Sequence, residues 1–213
     1  MNMREPINSI THLFGLILSI AGLILLLISS FSNFAISSVI SSIIFSIGLI
    51  GLYSASTVYH WKNTSIERLE ILRKIDHIMI YVLIASTYTP ICLISLKGLL
   101  GYSLLAFVWI LSFIGILLKA LWLNTPRWLY TGFYLILGWL ALFFIYPMSK
   151  ALPVDAILLL VSGGIMYTIG AIIYGSKSEK IKLWKFGFHE IFHVFILLGS
   201  TFHFLMIYIY VIN

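Results

Sequence analysis

The sequence predicts an all-α integral membrane protein: a seven-transmembrane helix bundle with the N-terminus cytoplasmic and the C-terminus outside. Three observations lead there. Apolar residues fill 61% of the 213 positions and charged residues only 9%, whereas a soluble domain is about one quarter charged. Seven apolar runs are each long enough to cross a bilayer, which takes about 20 residues. Lys and Arg gather almost wholly on one side of those runs.

The first run, 9–30, follows a segment with one arginine and no small-residue cleavage site. It therefore reads as a retained helix, not a removed signal peptide. The second, 34–60, is rich in serine (Ser37, Ser38, Ser41, Ser42 and Ser46); small hydroxyl residues suit close helix contact in lipid. The third, 76–96, follows a polar connection over 61–75, and Asp76 at its start could cap the helix. The fourth, 98–119, begins after Lys97 and Gly98, and the fifth, 127–147, after a turn from Asn124 to Arg127. The sixth, 154–175, follows Ser149 to Pro153. The seventh, 187–212, follows the other polar connection, 176–186. No repeat or low-complexity segment interrupts the series, so 1–213 reads as a single domain. The lone cysteine, Cys92, excludes an intrachain disulfide and a cysteine-rich zinc finger.

A net charge of +6 raises nucleic acid as a partner, but the basic residues lie in short loops between apolar runs. With the N-terminus inside, Arg4, Lys62, Arg68, Arg73, Lys74, Lys119, Arg127, Lys177, Lys180, Lys182 and Lys185 face the cytoplasm. Only Lys97 and Lys150 face out. That bias sets orientation, and membrane lipids, not nucleic acid, are the expected partners. Trp61, Trp122, Trp128 and Trp184 fall near the same inner boundary.

This orientation gathers polar residues from four helix ends within about two turns of depth. Glu5, Asn8 and His12 open helix 1, and Ser56 and His60 end helix 2. Asp76 and His77 open helix 3, while His189 and His193 open helix 7. Polar groups inside a bilayer are costly and mark function by default. His189 and His193, four apart, lie on one helical face, and His60 can supply a third nitrogen. Three ligands plus water is the pattern of catalytic zinc, which lowers the pKa of its water to about 7. Asp76 could bind through that water, orient it or take its proton, with Ser56 hydrogen-bonding in the same layer. Singly, His12 and His77 read as interfacial histidines, and Glu5 and Asn8 as first-turn residues suiting a helix dipole. His203 reads as a packing histidine. The string His189-Glu190-Ile191-Phe192-His193 also fits the zincin motif, in which the glutamate is a general base. Glu190 lies about 100° around the helix from His189, however.

Three ordered motifs resemble a known family. They are Glu5-x-x-Asn8-x-x-Thr11-His12; Ser56-x-x-x-His60 with Asp76 after a basic loop; and His189-x-x-x-His193 with His203 beyond. Over nearly its whole length the chain resembles the hemolysin III branch of the progestin and adipoQ receptor family, which includes the adiponectin receptors. The resemblance implies seven helices with the N-terminus inside. It also implies zinc held by His60, His189 and His193, with Asp76 contacting it through water. Relatives often carry another residue at the position of Glu190, which argues against a zincin mechanism. The wider superfamily includes alkaline ceramidases, and bacterial members are linked to haemolysis, membrane fluidity and lipid homeostasis.

The leading expectation is thus a zinc-dependent hydrolase of membrane lipid amides or esters, multi-pass in a bacterial plasma membrane. Glu5, Asn8, His12 and His77 would support its site. One alternative is a non-enzymatic membrane-homeostasis or sensor protein with structural zinc. The other is a pore-forming cytolysin, against which the helices show no wide polar stripe. Oligomeric state is not legible.

Overall fold

The computed structural model describes residues 3–32, 34–122 and 126–213. Asn33 and Asn124, read from the sequence as turn residues, lie outside them. Among the described residues, seven helices are long and apolar enough to cross a membrane: α1 Pro6–Ser32, α2 Ile36–Trp61, α3 Ile66–Leu96, α4 Gly98–Leu121, α5 Arg127–Ala151, α6 Val154–Ser176 and α7 Phe188–Ile212. Consecutive helices pack side by side, and α7 returns to α1. The result is a closed ring, with α3 the most buried span. Helices satisfy their own backbone groups, which hydrocarbon demands.

The helices sort their residues inside out relative to a soluble protein. On α1, Ile10, Phe14, Ile17, Ile24 and Ile28 are exposed on the outer face. Asn8, His12, Gly15, Ser19 and Gly22 line the buried one. The serine-rich part of α2 turns Ser38, Ser41, Ser42 and Ser46 inward while Ser37 stays exposed, and Ser42 hydrogen-bonds Ser30 across the α1–α2 seam at 2.8 Å. Small residues let backbones approach. A Cβ added at Gly48 on α2 would fall on the Ser86 hydroxyl and lie 3.2 Å from the Leu83 Cα of α3, whereas at Gly132 it would meet nothing within 4 Å. Gly48→Ala should therefore destabilise the detergent-solubilised protein by about 1–3 kcal/mol, the usual cost of overpacking. Gly132→Ala should melt no lower than wild type in the same circular-dichroism experiment.

Two helices depart from the sequence reading. The connection expected over 61–75 is mostly helix: α3 begins at Ile66, with Ser65 at its N-cap position. Glu67, Arg68, Glu70, Arg73 and Lys74 kept this stretch out of any apolar run, yet all are good helix formers. Asp76 consequently lies three turns inside α3 and does not cap it. The fifth run is also broken: α-helix over Arg127–Trp139, 3₁₀ over Leu140–Phe144, then α-helix over Ile145–Ala151. One side chain closes this break. The Tyr88 hydroxyl donates toward the carbonyls of Leu137 and Gly138 (3.1 and 2.9 Å) and accepts the Ala141 N–H at 2.8 Å. Past Pro90, which lacks an N–H, α3 loosens into a π turn over Ile91–Leu96.

A cavity of about 590 Å³ occupies the middle of the ring. Along α3 its lining runs from Arg73 to Ile91, about 27 Å at 1.5 Å per residue. The cavity is long and narrow, and nearly as deep as the ~30 Å hydrocarbon core of a bilayer.

Candidate metal centre

His60, His189 and His193 meet on one wall of the cavity, near the face that carries the N-terminus. Each offers a ligand nitrogen, and the three lie within 4.8 Å of one another. The group could hold a metal ion. One turn of α7 presents two of the imidazoles, and the end of α2 presents the third. His60 and His193 are each 1% exposed.

The surroundings fix both buried rings. The Nδ1 of His60 pairs with Glu5 Oε2, and Asn8 donates to the same oxygen at 3.3 Å. Arg4 bridges Glu5 Oε1 at 3.1 Å. Burial pushes the Glu5 carboxyl up, but the hydrogen bond from His60, with the charge of Arg4 and the Asn8 amide, overcomes it and holds the group below its ordinary 4.5. An ionised Glu5 accepts the Nδ1 proton of His60 and leaves the Nε2 lone pair free. That buried Nε2 has no hydrogen-bond partner, as a metal-binding nitrogen requires. A carboxylate behind a ligating imidazole orients the ring and raises its basicity. Backbone bonds seat the segment: Glu5 N donates to His60 O at 3.0 Å and Arg4 N to Trp61 O at 3.3 Å. Behind His193, Nδ1 is 3.3 Å from Thr11 Oγ1. The Thr11 hydroxyl donates back to the carbonyls of Ile7 and Asn8, so its oxygen is left to accept from the imidazole.

The remaining residues singled out in the sequence take separate places. Asp76 stands outside the three-histidine group, within reach of the charge of His60 and of the Ser56 hydroxyl. Asp76 and Ser56 both line the cavity. His12 is not in the group either; its ring stacks on His193 at a centroid distance of 3.6 Å and meets Tyr53 edge-on. His77 turns to another wall, with Nε2 3.4 Å from the Tyr174 hydroxyl. The Nε2 of His203 donates to the Leu160 carbonyl at 3.1 Å, so it braces α7 on α6. The Glu190 carboxylate accepts the Gly187 N–H at 2.9 Å; it caps α7 and is not poised as a base.

Sequence reasoning passed over some of the wall. Tyr53 and Tyr167 both hydrogen-bond Ser200, at 2.7 and 2.8 Å, which ties α2, α6 and α7 together. Lys119 and Arg127 line the cavity as well, although their place in sequence gave only a topology signal.

The family description "Haemolysin-III related" matches residues 1–204. The chain belongs to the haemolysin-III family. Hemolysin-3 of Bacillus cereus is 38% identical over 212 residues, covering 98% of this chain and 92% of that protein. The Hemolysin-3 homolog of Bacillus subtilis (strain 168) is likewise 38% identical, over 99% and 95%. A more distant relative of this chain is the human Monocyte to macrophage differentiation factor, 26% identical over 80% of this chain and 70% of its own length.

Proposed function

We propose that this haemolysin-III protein is a zinc-dependent hydrolase of membrane lipid amides or esters, acting in lipid homeostasis in the bacterial plasma membrane. The observation behind this reading is the buried three-histidine group, one ring of it backed by Glu5, on the wall of a long lipid-depth cavity. His60, His189 and His193 would hold the ion. Zinc suits three imidazoles with an open fourth position, and when bound it supplies Lewis acidity and activates water near neutral pH. Asp76 takes the proton from the attacking water and returns it to the leaving nitrogen or oxygen as the carbonyl–heteroatom bond breaks. The products are a carboxylic acid and an amine or alcohol. Ser56 orients Asp76. Asn8 steadies Glu5, His12 packs the back of His193, and His77 lines the approach. The deep wall, with Leu83, Ile84, Ile91 and Leu160, suits an acyl chain better than the water column of a pore.

The test is the lipid profile of cells that lack the native gene and express wild type or His193→Ala at matched levels. One lipid class should accumulate in the variant and its deacylated product should fall. Identical profiles would count against hydrolysis.

The Lys/Arg asymmetry supports a cytoplasmic N-terminus, which puts the histidine group in the inner leaflet. A cysteine replacing Asn213 should be labelled by an impermeant thiol reagent added outside cells, and one replacing Lys180 should not. Native Cys92 is fully buried and gives little background. The reverse labelling pattern would invert the orientation.

A further inference from the structure

The same end of the cavity holds a cluster of cations that make no ion pair among the described residues, although Asp76 lines the same cavity. Arg73, Lys119, Arg127 and Lys177 line it, and the charges of Arg73 and Arg127 bear directly on Lys119. Among the described residues, the ion pairs are Arg4–Glu5 and His60–Glu5; neither involves these cations. Arg73 and Lys177 are exposed, Arg127 is half-buried and Lys119 is buried; gathering like charges around a buried ammonium is unfavourable, and an arriving anion relieves it. Lys119 is the informative member. A lysine that only sets topology snorkels outward, with its ammonium in water or headgroups. Lys119 instead is 7% exposed and lies over the Tyr130 ring at 4.0 Å. Arg127 is held similarly, over Tyr174 at 4.3 Å with Nη1 donating to the Tyr174 carbonyl at 3.2 Å. Both cations are oriented by the wall and line the cavity.

The cluster and the histidine group are adjacent. His77 links them: its ring lies 5.1 Å from that of Tyr130, which carries Lys119, and 6.5 Å from that of Tyr174, which carries Arg127 and lies 5.6 Å from His189. From there the cavity continues into its apolar depth. We infer that Arg73, Lys119 and Arg127 form a headgroup site for an acyl lipid with an anionic head, a phosphate or carboxylate. The head binds the cations and the chain lies along α3, so the linkage between them falls at the level of His77 and His189. The inference rests on the hydrolase reading for the fate of the bound lipid, but binding at the site itself is measured without turnover.

The experiment uses full-length protein in nanodiscs of zwitterionic lipid. The probes are phosphatidic acid with a fluorescent acyl chain and diacylglycerol with the same labelled chain. Wild type should prefer the charged probe by about ten-fold or more, as charge-assisted hydrogen bonds imply. Lys119→Gln and Arg127→Gln should each remove most of that preference and leave diacylglycerol binding within about two-fold. Lys119→Arg and Arg127→Lys should retain it, which separates lost charge from lost fold. Equal binding of the two probes by wild type would overturn the site, as would a preference unchanged in both Gln variants, since the cations would then serve orientation alone. Displacement of the charged probe by inorganic phosphate at comparable concentration would make the ligand a soluble anion and remove the lipid. Probe bound but never cleaved would keep this site and count against the hydrolase. Cleavage regardless of head charge would do the opposite.

Discussion

Purified wild type should hold close to one zinc ion per chain by elemental analysis, and replacing His60, His189 or His193 with alanine should strip most of it. The reason is the small donor set. Three nitrogens within 4.8 Å leave no spare ligand when one is removed. Loss of a group that merely orients a ligand already costs about 10–100-fold in metal affinity, so loss of a ligand should cost at least as much. His60→Ala carries an extra penalty, because it also leaves Glu5 without its imidazole partner. His203→Ala is the control: its ring is engaged with the Leu160 carbonyl, so the variant should be less stable but still metal-loaded. Zinc lost in His203→Ala and retained in His60→Ala would overturn the ligand set.

Asp76→Asn should leave zinc bound and reduce lipid turnover by about 10²–10⁴-fold, the usual contribution of a general base. Asparagine keeps the shape of aspartate and can still meet the Ser56 hydroxyl, but it accepts no proton from water. Asp76 lies outside the three-histidine group, so occupancy and turnover should separate in this variant and fall together in His193→Ala. If both variants keep wild-type lipid profiles, the site is not hydrolytic. If both lose zinc and unfold, the metal is a clamp between helices.

Much of the fold was legible because the signal is length: a span in hydrocarbon must be long, apolar and helical, and the seven runs met that requirement. The start of α3 was not, because Glu67 to Lys74 form helix through propensity while hydropathy reads them as loop. The break in α5 depends on one distant hydroxyl, that of Tyr88, and no local pattern encodes it. At the candidate site, depth could be read from position along each helix. Azimuth could be read only within a helix, as for His189 and His193. Between helices it depends on packing. Thus Glu5 and His60 could be placed in one layer but not paired, and Asp76 and His77, neighbours in sequence, turn to different walls. Lys119 shows the same limit: a lysine at a helix end counts equally toward topology whether it reaches outward or inward.

The outward apolar stripe of α1 has a consequence for how this fold responds to temperature. Ile10, Phe14, Ile17, Ile24 and Ile28 face the outer side of the bundle and would remain in hydrocarbon if α1 came away from its neighbours within the bilayer. Such a separation transfers little apolar surface to water, and transfer to water is the source of the large heat capacity of unfolding. The seam it breaks is held instead by close contact and by bonds such as Ser30 to Ser42. Within a membrane, helix separation should therefore follow a nearly straight free-energy line with temperature, lacking the pronounced dome and cold-side weakening of a water-soluble protein of equal size.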